Sequence, residues 1–550
     1  MSLPDGIIRE RTRQYGITDD PFVGMAGSFQ YAENLNVFDD PRGIKLTTKV
    51  ASVDPWQVPP SYFQNCILVS WWDFFVRIPE SWPVVKVTPS SRPSWTIIWN
   101  INSNIYPYDA VIFSGWVYII QWSRWASIRK CCLDWVTPYV NFTPIDRTWE
   151  TEIEMGIWTP AYCDCITNFN NTMLLVWNGN YLRVYNPADD IWLVDNKPTW
   201  WKIVKEYSPN CAIREISPKA DYVEVFLEDG AWNTKIHYYP WIFDMEDSGL
   251  MKSVELPNTR LQRIYPHMTK EMVVVSLDGS LNNVSLREII WYETYPVMRS
   301  HRAWLSPYDV QHKLGFFLWP CSRDMVWYNW RAYIADKEWI WEINWYNEKK
   351  MPVCTLRWKI HDQSENHYPT WLAVSKDYIY VSYDDNEYCA RIYDTVDPYG
   401  YEKQWMLISR AIETEYGWEF TKQLVRRFVQ FEMNNLTNDN GSIDIYVCGN
   451  RERNSPNDSA WIKIAHIDQD DAEFSPTWET YSWLDEYSIG TCVHRFDNAG
   501  DWSFMQDRQI IEYKVVIKAW TKSNNIYHSS PVLRSLLFNY DIKEKTNFFS

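Results

Sequence analysis

An all-β chain, a β-propeller of about seven blades followed by a β-sandwich, is what this sequence predicts, and three observations predict it. Short apolar segments recur at a loose spacing of about fifty residues, centred near Leu68, Tyr118, Leu175, Val225, Val274, Phe317 and Tyr380. A period in that range marks propeller blades. Three of the segments run through a turn signal into a second β-rich segment: Leu174–Trp177 through Asn178-Gly179 to Tyr181–Tyr185, Tyr222–Leu227 through Asp229-Gly230 to Lys235–Tyr239, and Met272–Ser276 into Asp278-Gly279. Asn-Gly and Asp-Gly between such runs are hairpin signals, because both turn positions favour positive φ. The third observation is strict period-two alternation beyond residue 400, with no sustained helical period, which argues for a sandwich.

Taken in order, residues 1–27 are polar and aperiodic and read as an extended arm. Residues 28–399 hold the repeats. Ser28–Val37 alternates as a strand, Asp39–Gly43 turns the chain, and Ile44–Val50 follows. A segment of this kind is placed to complete the last blade and close the ring, which removes free sheet edges. The widest gap holds Trp327–Trp345, long enough for further strands, so the blade count lies between six and eight.

In residues 400–550, Val425, Val429, Phe431 and Met433 fall on one face of a strand, as do Ile443, Ile445 and Val447. Ile511, Tyr513, Val515 and Ile517 point the same way, with Glu512, Lys514 and Lys518 expected outward.

The chain has 550 residues and a net charge of −17. That length suits two large domains. No basic surface is predicted to neutralise phosphates, so nucleic-acid binding is not expected. Met1–Arg13 has no apolar core of a signal peptide. Val111–Trp122, the longest apolar stretch, is interrupted by Ser114, Gly115 and Gln121 and is too short to span a bilayer, so no membrane insertion is expected. The eleven cysteines lack zinc-ligand spacing and read mainly as small buried hydrophobes.

One imbalance colours the whole reading. There are 35 tryptophans but only 18 glycines, less than half the usual glycine share of about 7 %. Trp71-Trp72 and Trp122 with Trp125 stand where turns are expected. The surplus suits aromatic stacking on sugars or packing between subunits, or a sequence read partly from side-chain shape. On either reading the alternation of apolar and polar positions says more than any single residue.

Catalytic motifs are missing. There is no phosphate-binding Gly-x-x-x-x-Gly-Lys-Ser/Thr loop, no Gly-x-Ser-x-Gly elbow and no His-Glu-x-x-His helix. His361 and His367, with Asp362 and Glu365 between them, read as a polar loop before a metal site. Asp468–Asp471 with Glu473 lacks the spacing of a calcium loop. Asp189-Asp190 and Asp384-Asp385 are paired carboxylates, but neighbours in sequence do not set the separation that glycoside hydrolysis needs. Repeated Ser-x-Asp-x-Gly-x-x-Trp turns are absent as well. No catalytic, cofactor-binding or metal-binding residue is assigned, and no cofactor or enzymatic activity is expected. Trp71, Trp72, Trp122 and Trp125 are the candidates for a sugar-stacking platform.

The run Gly27–Leu46 resembles the opening of structural proteins of tailed-bacteriophage virions, in which a similar strand-turn-strand precedes propeller-like repeats. The order of later segments is similar too: a final repeat at Leu372–Tyr393, a crossover at Met406–Glu413, and a sandwich over Val425–Tyr540. The resemblance implies a virion component of the tail or tail tip. It would be a rigid scaffold whose partners are other copies of itself and neighbouring tail proteins. The alternative it leaves is a receptor- or glycan-binding module on the virion surface.

Overall fold

The computed structural model describes 39 strands between Gly6 and Lys545 with the short turns attached to them. Stretches outside the description include 12–28, 142–164, 186–201, 241–249, 297–324, 394–403, 410–419, 468–488 and 495–510. Five short strands come first: β1 (Gly6–Arg11), β2 (Phe29–Glu33), β3 (Leu35–Asn36), β4 (Lys45–Leu46) and β5 (Ala51–Ser52).

Seven antiparallel units follow, each drawn in chain order. The first is β6 (Ile67–Ser70), β7 (Phe75–Ile78), β8 (Val84–Thr88) and β9 (Ser94–Trp99). The second is β10 (Pro107–Phe113), β11 (Trp116–Gln121), β12 (Ile128–Cys132) and β13 (Val140–Asn141). The third is β14 (Cys165–Phe169), β15 (Met173–Asn178), β16 (Tyr181–Tyr185) and β17 (Lys202–Glu206). The fourth is β18 (Cys211–Pro218), β19 (Val223–Asp229), β20 (Thr234–Tyr239) and β21 (Lys252–Leu256).

The fifth unit is β22 (Arg260–Tyr265), β23 (Glu271–Ser276), β24 (Val284–Ile290) and β25 (Glu293–Pro296). The sixth is β26 (Met325–Tyr328), β27 (Arg331–Asp336), β28 (Trp339–Asn344) and β29 (Val353–Lys359). The seventh has three strands of its own, β30 (Pro369–Ser375), β31 (Tyr378–Tyr383) and β32 (Cys389–Tyr393), and takes β5 as its fourth. The chain ends with β33 (Gln404–Ser409), β34 (Phe420–Asn434), β35 (Ser442–Gly449), β36 (Ile462–Ile467), β37 (Ile489–His494), β38 (Ile511–Lys518) and β39 (Val532–Lys545).

Local chemistry explains the hairpins. The apolar run Val111–Trp122 folds back on itself because Ser114 and Gly115, at φ 48° and 79°, form the two-residue turn between β10 and β11. Two successive positive φ values are the mark of a type I′ turn, whose twist matches the strands. At the third unit the turn is shifted one residue from the Asn178-Gly179 expectation. Asn178 is the last strand residue, paired with Tyr181, and only Gly179 of the loop has positive φ, at 56°. Asp229-Gly230 opens a four-residue loop in which Asp229 Oδ1 accepts hydrogen bonds from the Ala231 and Asn233 amides, each at 2.9 Å. The strands flanking Asp278-Gly279 pair as a hairpin, and that turn lies outside the described residues.

Five of the predicted centres fall on second strands, and Leu68 falls on a first strand. Phe317 lies outside the described residues. The sixth unit is instead built from the Trp327–Trp345 region, so no extra unit is needed there among the described residues.

Neighbouring units meet through their first strands: β6 touches β10 and β30, β10 touches β14, β14 touches β18, and β26 touches β30. Asp109 on β10 bonds Ile166 on β14, and Ile112 bonds Asn168, so these two strands run the same way. Apolar clusters also fill seams between units. Leu175, Trp177 and Leu182 of the third unit pack with Ile213, Val223, Val225 and Tyr239 of the fourth. Each fully buried side chain of this kind contributes about 1.5–3 kcal/mol relative to exposure, so these seams hold adjacent units face to face.

The N-terminal segment does more than the sequence suggested. Closure of the seventh unit falls to β5, where Ala51 and Ser52 pair with Arg391 and Ala390. The strand expected in Ser28–Val37 is β2, and it pairs with β33 and, at Glu33–Leu356, with β29. It therefore joins the sixth unit to a sheet of the C-terminal region in the order β2-β33-β38-β35-β36. Gln404–Ser409, partly inside the expected crossover, is a strand of that sheet. Within the 1–27 arm, Gly6–Arg11 pairs along β39 of a second C-terminal sheet, ordered β1-β39-β34-β37.

In the C-terminal region Ile443, Ile445, Val447, Tyr513, Val515 and Ile517 form the expected buried apolar face. The outward expectation for Glu512 and Lys514 is corrected, since both are buried. On this second face of β38 the buried Trp461 ring lies 5.2 Å from the Lys514 ammonium. Asp444 on that face meets Lys463 at 2.7 Å and Lys518 at 3.4 Å, and the Lys514 ammonium sits 4.4 Å from the Tyr446 ring. In β34 the pairing with β39 shifts between Leu424 and Val429.

Candidate functional site

Among the described residues, unit four carries the densest set of ionisable groups with shifted acidities. The tight turn between β18 and β19 is closed by the Lys219 amide, which donates to the Tyr222 carbonyl at 2.8 Å. That turn brings the Lys219 ammonium to 3.9 Å from Glu224 Oε2, and both side chains are buried. Glu224 stands opposite Tyr238 on β20, and the Tyr222 and Tyr238 rings lie 5.9 Å apart.

The acidities follow from burial. Loss of solvent raises the Glu224 carboxyl to about 7, against the opposing pull of Lys219 and a hydrogen bond from Tyr222. Loss of solvent lowers Lys219 to about 8, against the pull of Glu224. Burial, then the Glu224 charge, also drives the Tyr222 and Tyr238 phenols upward. Chemically, the cluster takes up or gives off protons close to neutrality. Perturbed groups of this kind often mark functional sites, and structural ion pairs produce them too.

On the opposite face of β20 a second polar chain crosses the seam to unit three. The Tyr207 hydroxyl donates to the Tyr239 hydroxyl at 3.0 Å, and Tyr239 lies 3.2 Å from His237 Nδ1. Tyr207 is fixed by Asn180, whose side chain donates to its carbonyl at 2.7 Å. Sequence reading missed both clusters, because their members are spread over Asn180–Tyr239 and match no spacing motif. The one local signal was the acid and base five residues apart across a turn, Lys219 and Glu224.

Of the aromatic candidates, Trp71 and Trp72 sit in the turn between β6 and β7. Trp71 is half-buried beside Phe74, whereas Trp72 is 82 % exposed. Trp122, Trp125, His361, Asp362, Glu365, His367, the 468–473 acidic run, Asp189-Asp190 and Asp384-Asp385 lie outside the described residues. Among the described residues no group of His, Cys, Asp or Glu is arranged to hold a metal ion, and no helix is long and apolar enough to cross a membrane. Cys131, Cys132 and Cys448 are buried thiols, as expected, and burial pushes Cys131 up to about 12. Cys211 is a half-buried thiol, and Cys165 is disulfide-bonded.

No family model matches the chain, and no curated protein does. Among solved structures, the WD40 β-propeller domain of Doa1 is similar at 7 % identity and a TM-score of 0.38, over 64 % of this chain and 97 % of that one. The Neurospora crassa Pan2 WD40 domain is similar at 8 % identity and a TM-score of 0.37, over 65 % and 97 %. A puromycin hydrolase mutant shows 11 % identity and a TM-score of 0.39, over 66 % and 61 %. Among its described residues the chain is all-β, built from several antiparallel sheets.

Proposed function

We propose that this chain is a structural component of a phage virion, a rigid scaffold of the tail or tail tip. In this reading the seven units form a closed propeller and the two C-terminal sheets a β-sandwich. One observation carries it: the N-terminal segment supplies strands to the seventh unit and to both C-terminal sheets. Tying the chain's two ends together removes edges and resists shear between domains, which suits a part that transmits load and not one that turns over substrate. Further support comes from the β3–β4 pairing at Leu35–Leu46, inside the run that resembles virion proteins. Copies of a rigid module assemble by burying matching patches around a symmetry axis.

Sedimentation velocity and negative-stain imaging of the full chain test this reading, with a closed symmetric oligomer expected. A strict monomer that binds a glycan array would overturn it in favour of a second reading, a glycan-binding surface module, which the exposed Trp72 favours.

A further inference from the structure

Of the strands that the N-terminal segment adds to other sheets, β2 is flanked on both sides, by β33 and β29, and β5 contributes two residues. β1 differs from both. It is the outer strand of the sheet β1-β39-β34-β37, and among the described residues its one ladder runs to β39, from Gly6 opposite Tyr540 to Arg11 opposite Ser535. Taking β1 away therefore breaks no other pairing in the described chain. The edge it covers would then present unpaired N–H and C=O groups to any strand of the same pattern.

A backbone ladder does not record which chain supplies the strand, so reach and charge decide what else can fill that edge. Residues 12–28 join β1 to β2, and a stretch of that length spans about 60 Å when extended. A compact chain of 550 residues has a radius of gyration of about 24 Å. The connection is long enough to cross to a touching copy. β1 also carries Arg9 and Arg11 against the single acid Glu10, in a chain whose net charge is −17. A strand of net positive charge is drawn to the acidic body of a second copy as well as to its own.

We infer that β1 is exchanged between copies, so that the β39 edge of each is completed by the Gly6–Arg11 strand of its neighbour. In a lone chain β1 lies on its own β39. The inference rests on the assembly reading above and names the contact that links the copies. Exchanging an identical element keeps every contact, which makes it a low-cost route to assembly. Around a closed ring it leaves no β39 edge open.

Paired cysteines report which chain supplies the strand. Ile8 is directly opposed to Phe538 and Arg9 to Leu537, and adjacent antiparallel pairs alternate in separation, so one of the two is the closer kind that a disulfide bridges. Full chains carrying Ile8→Cys with Phe538→Cys, or Arg9→Cys with Leu537→Cys, are oxidised and run on non-reducing gels, with the single variants as controls for the native thiols. Covalent multimers are expected from a double variant and not from its singles. A link confined to one chain overturns the exchange and leaves the scaffold reading standing.

A second variant needs no cross-link. Backbone N–H groups alternate sides along a strand, so Ile7→Pro with Ile8→Pro removes the donor at whichever of the two faces β39. Association in sedimentation velocity is expected to weaken by at least about tenfold. Association that survives this change overturns the exchange as well, and a wild-type chain that never associates overturns both the exchange and the scaffold reading.

Discussion

Asp109 Oδ2 accepts a hydrogen bond from the Ile166 amide at 3.0 Å, so a fully buried carboxylate on the first strand of unit two caps the first strand of unit three. Its Oδ1 accepts from the Ala110 amide at 2.9 Å. The pairing of β10 shifts between Pro107 and Asp109, and equivalent shifts fall at Ile213/Glu215, Leu261/Arg263 and Pro369/Trp371. Glu215 repeats the local bond by accepting from the Ile216 amide at 3.0 Å. Such irregularities re-aim a side chain out of the ladder, here towards the neighbouring unit at Asp109.

Asp109→Ala therefore strands two buried N–H groups. Each unsatisfied donor costs about 1–3 kcal/mol, so a loss of several kcal/mol is expected, with Asp109→Asn milder because one acceptor remains. Chemical denaturation measures the loss, and hydrogen exchange should show Ile166 deprotected first. An unchanged Ile166 exchange rate would rule out the cap.

Gly115 has φ 79° and open space around the position a Cβ would take. The cost of Gly115→Ala is then conformational alone, about 1–2 kcal/mol. Ser114 also has positive φ, at 48°, so Ser114→Gly should be neutral or stabilising. Thermal melts of the two variants should move in opposite directions or leave Ser114→Gly unchanged; a destabilised Ser114→Gly would contradict the turn.

The buried Lys219–Glu224 pair predicts a pH dependence whose sign can be worked out. Glu224 is raised from 4.5 to about 7, so across that window the folded chain keeps a proton that the unfolded chain has lost. Its contribution to stability falls as pH rises. Lys219 is lowered from 10.5 to about 8, so above about 8 the folded chain has released a proton that the unfolded chain keeps, and stability rises with pH. The pair is least favourable between about 7 and 8. Melts of wild type and Glu224→Gln at pH 5 and pH 7.5 isolate the first limb: the difference between the two pH values should shrink in the variant. Equal slopes would remove Glu224 from the titration.

Much of the fold was legible because it depends on pattern. Apolar runs such as Leu174–Trp177 and Tyr222–Leu227 must pair as strands whatever their partners, and the alternation at Ile443, Ile445 and Val447 gives a face directly. Partner choice was not legible. Nothing in Phe29–Glu33 distinguishes a strand that closes the last unit from one that pairs with β33, because the decision is made by residues nearly four hundred positions away. The buried state of Glu512 and Lys514 depends on what packs over that face, such as the Tyr446 and Trp461 rings at the Lys514 ammonium, which alternation alone does not report. The candidate site was hidden for the same reason, since Glu224 and Tyr238 become neighbours only through the β19–β20 register.

One repeated diagonal also escaped the sequence reading, and it supports a last prediction. In units one, two, four and six, a residue at or just before the start of the second strand meets the third-strand residue paired two positions further on. The pairs are Phe74 with Lys86, Trp116 with Lys130, Tyr222 with Tyr238, and Arg331 with Glu342. Diagonal neighbours lie within reach of long side chains. In unit six the diagonal is an ion pair of 2.7 Å whose carboxylate is fully buried. Removing one charge leaves the other desolvated, so Arg331→Met is expected to cost about 3–5 kcal/mol. Replacing both with apolar groups avoids that penalty, and Arg331→Met with Glu342→Met should recover most of the loss in a denaturant melt. If the double variant is as unstable as the single one, the position requires the ion pair itself, and the view that this diagonal is occupied by packing chemistry interchangeable among units would be wrong.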